Sequence, residues 1–319
     1  MRFGLLGNTA FSEELASGFI DAGHTCSFTV SQPTSSLPDA CIGVGRWAAK
    51  QRVPHFETDD VNGPEFASIL DDFPADFMVS SWPKILHTNT ISRLPLGVVG
   101  THPTPLPWGR GRHPLHWAVA MGLPHTSLSM FLMDAGVDTG MLIAQSAILI
   151  EENATIAELQ RALDAEVRVV ARTVGEQLSS AGFFAGWPQS PVSGSLWRRR
   201  TEYDVQIDCR MSCDAVRRLV NSYSSPFPMA RLLTKHGAIL IDETLASNLP
   251  KAQWQFQVPG SILEVGDRWV TIRLDDGVLV LHSANGLPAT LREGDSAPPL
   301  HSSSRRSPEP ILYRRCEAA

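Results

Sequence analysis

Gly97-Val-Val-Gly-Thr-His-Pro-Thr-Pro-Leu-Pro-Trp-Gly-Arg-Gly-Arg-His-Pro-Leu-His-Trp117 and Asp134-Ala-Gly-Val-Asp-Thr-Gly140 are the stretches around which the chain is organised. Val98 to His102 reads as a buried strand. Pro103, Pro105 and Pro107 cannot continue a hydrogen-bond ladder, so the chain leaves its sheet after His102. That puts His102 at a strand end, where open α/β sheets gather their ligands. Ser127 to Met133 is a second apolar segment, and the acidic, glycine-bearing loop after it carries Asp138. A histidine and a carboxylate on neighbouring strand ends can act as a base and its orienter.

Working outward, Arg2 to Gly7 is a short apolar run closing in Gly7-Asn8-Thr9. A helical pattern through Phe11, Leu15, Phe19 and Ile20 follows it. This strand–turn–helix opens a Rossmann-like unit without the full Gly-x-Gly-x-x-Gly phosphate fingerprint, which argues against a dinucleotide. His24 to Ser31, Asp76 to Ser81 and Leu142 to Ile150 read as further strands. Trp47 to Val53, Pro64 to Asp71 and Arg112 to Met121 read as helices. A long amphipathic helix lies within Glu151 to Ser180. Ile156, Leu159, Leu163, Val167, Val170 and Ala171 fall at helical spacing, with Asn153 or Thr155 as cap. The result is an α/β sheet with helices on both faces.

Trp187 to Ser195 is rich in Pro, Gly and Ser and reads as a linker; the texture then changes. Cys213 to Ser222 has a helical pattern. Gly237 to Thr244, Gly260 to Val265, Trp269 to Leu274 and Val278 to His282 are short strands with turn signals between them, a small β unit. The boundaries are 1–187 for the α/β domain, 188–197 for the linker, 198–287 for the β domain and 288–319 for a Ser/Pro/Arg-rich tail.

Composition narrows the function. The chain has 319 residues, is 43% hydrophobic and 19% charged, and has a net charge of −6. Residues 191–319 hold 16 Lys and Arg against 14 Asp and Glu, so the acidic excess falls on residues 1–190. Nucleic-acid binders concentrate basic charge on one face, so nucleic acid is not expected as a partner. No apolar run reaches membrane-spanning length, and none is expected to enter a bilayer. Cys26, Cys41, Cys209, Cys213 and Cys316 show no zinc-ligand spacing and read as free thiols of a cytoplasmic protein.

The two motifs resemble those of the formyltetrahydrofolate-dependent formyltransferases, the family of methionyl-tRNA formyltransferase and the sugar-amine N-formyltransferases. That family carries Asn-x-His-Pro-Ser-x-Leu-Pro-x-x-Arg-Gly followed by Asp-x-Gly-x-Asp-Thr-Gly. His102, Pro103, Leu106, Pro107, Arg110, Gly111, Pro114 and Trp117 match the first motif; Asp134, Gly136, Asp138, Thr139 and Gly140 match the second. The resemblance covers roughly residues 1–285 and is densest from 97 to 145. It departs at one place, since the family's catalytic Asn falls on Gly100. The fold it implies is a Rossmann-like formyltransferase domain with a smaller OB-like β domain, which Pro226-Phe-Pro-Met-Ala230 helps to identify.

The resemblance also implies a chemistry: transfer of a formyl group from 10-formyltetrahydrofolate to a small-molecule amine, on an amino-sugar nucleotide or in secondary metabolism. His102 would shuttle the proton and Asp138, 36 residues on, would orient it. The folate would lie against Trp82, Ile85 and Leu86, an apolar slot suited to a flat heterocycle, with Asp134, Val137 and Asp138 alongside. Thr104 would meet the substrate, and Arg110 and Arg112 would bind an anionic substrate or the folate glutamate tail, or else pin the loop. A homodimer is compatible with this reading. The loop from Pro33 to Gly45, basic in the tRNA-directed enzymes, holds no Lys or Arg here. Gly100 offers no side chain to the developing oxyanion, a contribution of about 3–4 kcal/mol in comparable sites. Thr101 alternates to the other face, and Asn8 and Asn89 would have to lean in. Gly100 therefore keeps alternatives open: methionyl-tRNA as acceptor, a variant one-carbon or acyl transferase or hydrolase, or an inactive folate-binding homologue. His102, His113 and His116 lack a local carboxylate, and no metal is expected.

Overall fold

The computed structural model describes residues 1–33, 35, 44–190, 193–223 and 229–298. Most of the loop from Pro33 to Gly45, Cys41, Cys316, residues 226–228 of the Pro-Phe-Pro motif and the end of the tail lie outside the described residues.

The first half is built on β1 (Arg2–Leu6), α1 (Ala10–Asp21), β2 (Thr25–Ser31), α2 (Gly45–Gln51), β3 (His55–Glu57), α3 (Pro64–Asp72), β4 (Phe77–Ser80), α4 (Thr88–Ile91) and β5 (Val98–His102). After β5 come β6 (Arg110–Gly111), α5 (Pro114–Ala120), β7 (His125–Leu132), β8 (Leu142–Leu149) and α6 (Ile156–Ala181). Seven strands form one sheet in the order β3-β2-β1-β4-β5-β7-β8. Its first four pairings are parallel; β5–β7 and β7–β8 are antiparallel.

Strand alternation sorts the side chains into two cores. Phe3, Leu5, Phe77, Val79 and Val99 face α1 and α6, whereas Leu6, Phe28, Met78 and Val98 meet Phe66 and Ile69 of α3. The apolar stripe of α6 named from the sequence is buried throughout, each large aliphatic contributing about 1.5–3 kcal/mol. Thr155 caps α6 reciprocally: its Oγ1 accepts the Glu158 N–H, and Glu158 Oε2 accepts the Thr155 N–H at 2.8 Å. The first half is thus a Rossmann-like α/β sheet layered by helices.

The second half comprises β9 (Leu196–Trp197), β10 (Gln206–Ile207), α7 (Cys213–Asn221), β11 (Ala230–Thr234), β12 (Gly237–Ile241), β13 (Glu243–Ala246), α8 (Lys251–Trp254), β14 (Ile262–Val265), β15 (Trp269–Arg273) and β16 (Val278–His282). The short sheets β10-β11-β12 and β13-β16-β15-β14 share one core with α7, including Ile207, Val216, Leu232, Ile239, Ile272 and Leu281. This is a small β domain. Helix α7 closes on α5 and on the turn before α6: Arg218 Nε donates to the Ala120 carbonyl and Asn221 Nδ2 to the Asn153 carbonyl.

Helices α1 and α6 touch where Gly18 removes a side chain. A Cβ there would sit 2.4 Å from the Arg168 carbonyl oxygen, which is backbone and cannot swing aside. Gly18→Ala should therefore cost about 1–3 kcal/mol in urea unfolding, the usual range for overpacking. An unchanged midpoint would contradict this helix contact.

Candidate active site

Val98, Gly100 and His102 share one face of β5, and His102 is the last residue before the proline loop. It is 5% exposed. Its Nε2 lies 2.7 Å from the Gly109 carbonyl oxygen. A carbonyl only accepts, so this hydrogen bond requires the proton on Nε2, and Nδ1 is left facing Asp138 Oδ2 at 3.5 Å. Asp138 stands in the left-handed region at φ 54°, where Asp is better tolerated than most residues. Its Oδ2 also accepts the Gly111 N–H at 2.8 Å.

The route by which Asp138 arrives differs from the sequence expectation. Strand β7 runs antiparallel to β5, so its last residue, Leu132, pairs with Val99, while His102 pairs with Ser129. The loop from Asp134 to Gly140 must double back along β5 to reach the imidazole. Asp134 shapes that return: its Oδ1 accepts the Gly136 N–H at 3.0 Å and the Thr139 hydroxyl at 2.7 Å.

His102 and Asp138 open on a cleft of about 990 Å³. Trp82, Ile85, Leu86, Met133, Asp134 and Val137 line it from the loops after β4 and β7, and Phe11, Gln160, Leu115, His113 and His116 from α1, α6 and α5 with its N-cap. Trp82 and Leu86 are packed into the core beneath, whereas Ile85 is 65% and Val137 47% exposed at the rim. Arg112 lines the cleft, with its Nη1 on the Pro83 carbonyl at 2.5 Å.

Two residues expected to touch substrate do not face the cleft. Thr104 is fully buried, and its carbonyl accepts the Ser129 hydroxyl and the Leu106 N–H. Arg110 is buried behind the Asp138 loop; its Nε reaches the Asp138 carbonyl at 3.1 Å and its Nη2 the Gln189 Oε1 at 2.6 Å. Arg110 thus pins the loop, because the parallel pairing of β6 with β9 turns its side chain inward.

The space that an amide would need at Gly100 is occupied. A Cβ there would meet Met133 Cε at 2.8 Å and Phe131 Cζ at 2.9 Å, Phe131 being the cross-strand partner of Gly100. Asn8 is buried and engaged with Gln32 on both sides of its amide, and Asn89 is exposed on α4 outside the cleft. Thr101 borders the cleft from the opposite face of β5.

His113 and His116 join the two halves of the chain. His113 Nδ1 accepts the Arg200 N–H at 3.3 Å; burial and the nearby Arg112, Arg199 and Arg200 guanidinium groups push its pKa down. His116 places Nδ1 2.6 Å from the Ser222 carbonyl and stacks on Tyr223 at 4.5 Å. No cluster of three metal-ligating side chains occurs among the described residues. Sequence reading missed Gly109, Gln189 and Ser195, which contact the pair's loops. Only the glycine carried a signal, as one of several in a turn-rich stretch.

A family model described as formyl transferase matches residues 31–174. The methionyl-tRNA formyltransferase of Anaeromyxobacter sp. (strain K) is 31% identical over 220 residues, covering 65% of this chain and 68% of that protein. The methionyl-tRNA formyltransferase of Thiobacillus denitrificans is 25% identical over 287 residues, 88% of this chain and 91% of that protein. WlaRD, a sugar 3N-formyl transferase solved in the presence of dTDP and 5-N-formyl-THF, superposes with a TM-score of 0.64 at 12% identity, covering 90% of this chain and 99% of its own. HypX from Aquifex aeolicus, solved in complex with tetrahydrofolic acid, gives a TM-score of 0.62 at 16% identity over 88% of this chain, which spans 43% of the HypX chain. At these identities the solved structures bear on the fold alone.

Burial lowers the His116 pKa to about 4. Between that value and about 6.5 the unfolded chain takes up a proton that the folded one refuses. Stability from this residue is therefore complete above about pH 6.5 and declines as pH falls toward 4, by on the order of 3 kcal/mol. Urea midpoints measured from pH 7 to pH 4.5 should fall less steeply for His116→Gln than for the parent. Parallel curves would contradict the burial of a neutral imidazole.

Proposed function

The chain belongs to the formyl transferase family, as an N-formyltransferase, and from that premise we propose that it moves a formyl group from 10-formyltetrahydrofolate to the amine of a small molecule. The observation carrying this reading is the His102–Asp138 pair, 3.5 Å apart, opening on a cleft that apolar Trp82, Leu86, Met133 and Val137 help to line. Trp82, Leu86, Met133 and Val137 suit a pterin in shape and polarity, and Ile85 offers apolar surface at the rim. The structural neighbours solved with tetrahydrofolic acid and with 5-N-formyl-THF support a folate donor.

The folate supplies an activated formyl carbon. The acceptor nitrogen bonds to that carbon as the bond from carbon to the folate nitrogen breaks. One proton must leave the amine, and one must reach the departing nitrogen. With Nε2 held by Gly109, the Nδ1 side of His102 handles both transfers, and Asp138 steadies the cation formed between them. Phe131 and Met133 wall the Gly100 side, so charge growing on the formyl oxygen has no side-chain amide there. That duty passes to the protonated imidazole and to water, at the expense of rate.

From the helices, apolar Phe11 and Leu115 line the cleft together with Gln160 and the histidines, a surface for a small amine. The acidic excess of residues 1–190 opposes an RNA acceptor. Methionyl-tRNA is the second reading, favoured by the names of the curated relatives. Free Cys26 and Cys209 are buried, with thiols pushed up to about 12, which keeps them unreactive. Among the described residues no helix is long and apolar enough to cross a membrane.

With 10-formyltetrahydrofolate and a panel of amino-sugar nucleotides and other amines, tetrahydrofolate release should depend on the amine. His102→Ala should lower kcat about 10²–10⁴-fold, the usual contribution of a proton-transferring side chain. Undiminished turnover in that variant would remove His102 from the chemistry, and faster formylation of methionyl-tRNA than of any small amine would favour the second reading. Gly100→Asn alone should impair packing. Combined with Met133→Ala it still meets Phe131, so the packing loss should be relieved only in part.

A further inference from the structure

We propose that the segment joining the two halves of the chain is a positioning part of the active site, acting on the His102–Asp138 pair through Ser195 and Gln189. This rests on the reading of that pair as the proton-transfer centre. The peptide unit between Gly109 and Arg110 is one rigid plane. Its carbonyl receives the His102 Nε2–H at 2.7 Å, and its N–H donates to the Ser195 carbonyl at 3.0 Å. The Ser195 hydroxyl accepts the preceding N–H, that of Gly109, at 2.8 Å. Ser195 donates its own N–H to the Pro107 carbonyl at 3.2 Å and is 1% exposed. One residue of the connecting segment therefore grips both edges of the turn that orients the imidazole.

The grip is needed because Gly109 is unusually free. It sits at φ 73°, and a Cβ there would come within 2.8 Å of Thr104 Cγ2 and 3.1 Å of the Trp197 ring. Glycine is required at this site, yet glycine leaves the peptide plane free to swing. A swing would carry the carbonyl away from Nε2, and with it the tautomer that directs Nδ1 to Asp138.

Gln189 does the same for the carboxylate. Its Nε2 donates to the Asp138 carbonyl at 2.9 Å and the Gly140 carbonyl at 2.8 Å, while its Oε1 receives Arg110 Nε and Nη2. Asp138 holds a left-handed backbone, which most side chains resist and which persists only where the surroundings dictate it. Gln189 and Arg110 dictate it from behind, on the side away from the cleft. Neither Ser195 nor Gln189 lines the cleft, so their effect on rate passes through His102 and Asp138.

The test is steady-state kinetics of full-length Ser195→Ala, Ser195→Thr, Gln189→Leu and His102→Ala with 10-formyltetrahydrofolate and the best amine found, with a thermal midpoint for each. Ser195→Ala and Gln189→Leu should each lose about tenfold in kcat, with both KM values within about twofold of the parent. Ser195→Thr, which keeps the hydroxyl, should recover most of the loss. Should Ser195→Ala fail to fold, Gln189→Leu, which acts on the Asp138 loop instead of the Gly109 turn and is only half-buried, carries the decision. Parental kcat in folded Ser195→Ala and Gln189→Leu, with His102→Ala inactive, would overturn the positioning proposal and leave the catalytic reading intact. KM rising while kcat holds would overturn it too. Full activity in His102→Ala would overturn the reading on which it rests.

Discussion

The 2.7 Å hydrogen bond from His102 Nε2 to the Gly109 carbonyl is the constraint on which the rest of the site depends. An imidazole can present either nitrogen, and only a partner of fixed character decides which one carries the proton. A backbone carbonyl, unable to donate, decides it here. Everything nearby keeps that carbonyl and the facing carboxylate in place: the prolines that end β5, the short β6–β9 pairing that anchors the turn, and the doubled-back loop from Asp134 to Gly140.

The wall beside the histidine follows from the same packing. Gly100 lets Phe131 lie across β5 and Met133 fill behind it, so this side of the cleft is apolar where the related motif carries an amide. Removing a polar donor from a transition state costs rate, while burying two large apolar groups favours the fold. Packing takes the place of a polar donor at that position, and the proposed chemistry falls to the imidazole.

Much of this was legible in the sequence, for identifiable reasons. Helix α6 announces itself by an apolar stripe from Ile156 to Ala171 behind Thr155, one of two candidate caps, and β1, β4 and β5 by short apolar runs stopped by Gly or Pro. The motif spacing named His102 and Asp138 together. Other features left no local trace. Alternation is the same for parallel and antiparallel strands, so the direction of β7 and the return path of its loop were hidden. The two-residue strands β6 and β9 exist only because residues 86 positions apart in sequence meet. For that reason residues 188–197, which look like a plain linker in composition, hold Gln189 and Ser195 against the site. Arg110, matched to the motif, faces inward for the same reason, and Thr104, set within it, is held inward against Ser129 of β7. The strand β11, beside a proline-rich run, was missed because its apolar residues carry too short a pattern.

The most direct measurement is a structure of the protein with bound 5-formyltetrahydrofolate. The account requires the pterin against Trp82 and Leu86, and the formyl carbon within reach of the Nδ1 side of His102. It also requires the Gly109 carbonyl to remain on Nε2. A folate lodged against Phe11 and Gln160 instead, or a His102 ring turned away from Asp138 in its presence, would contradict it.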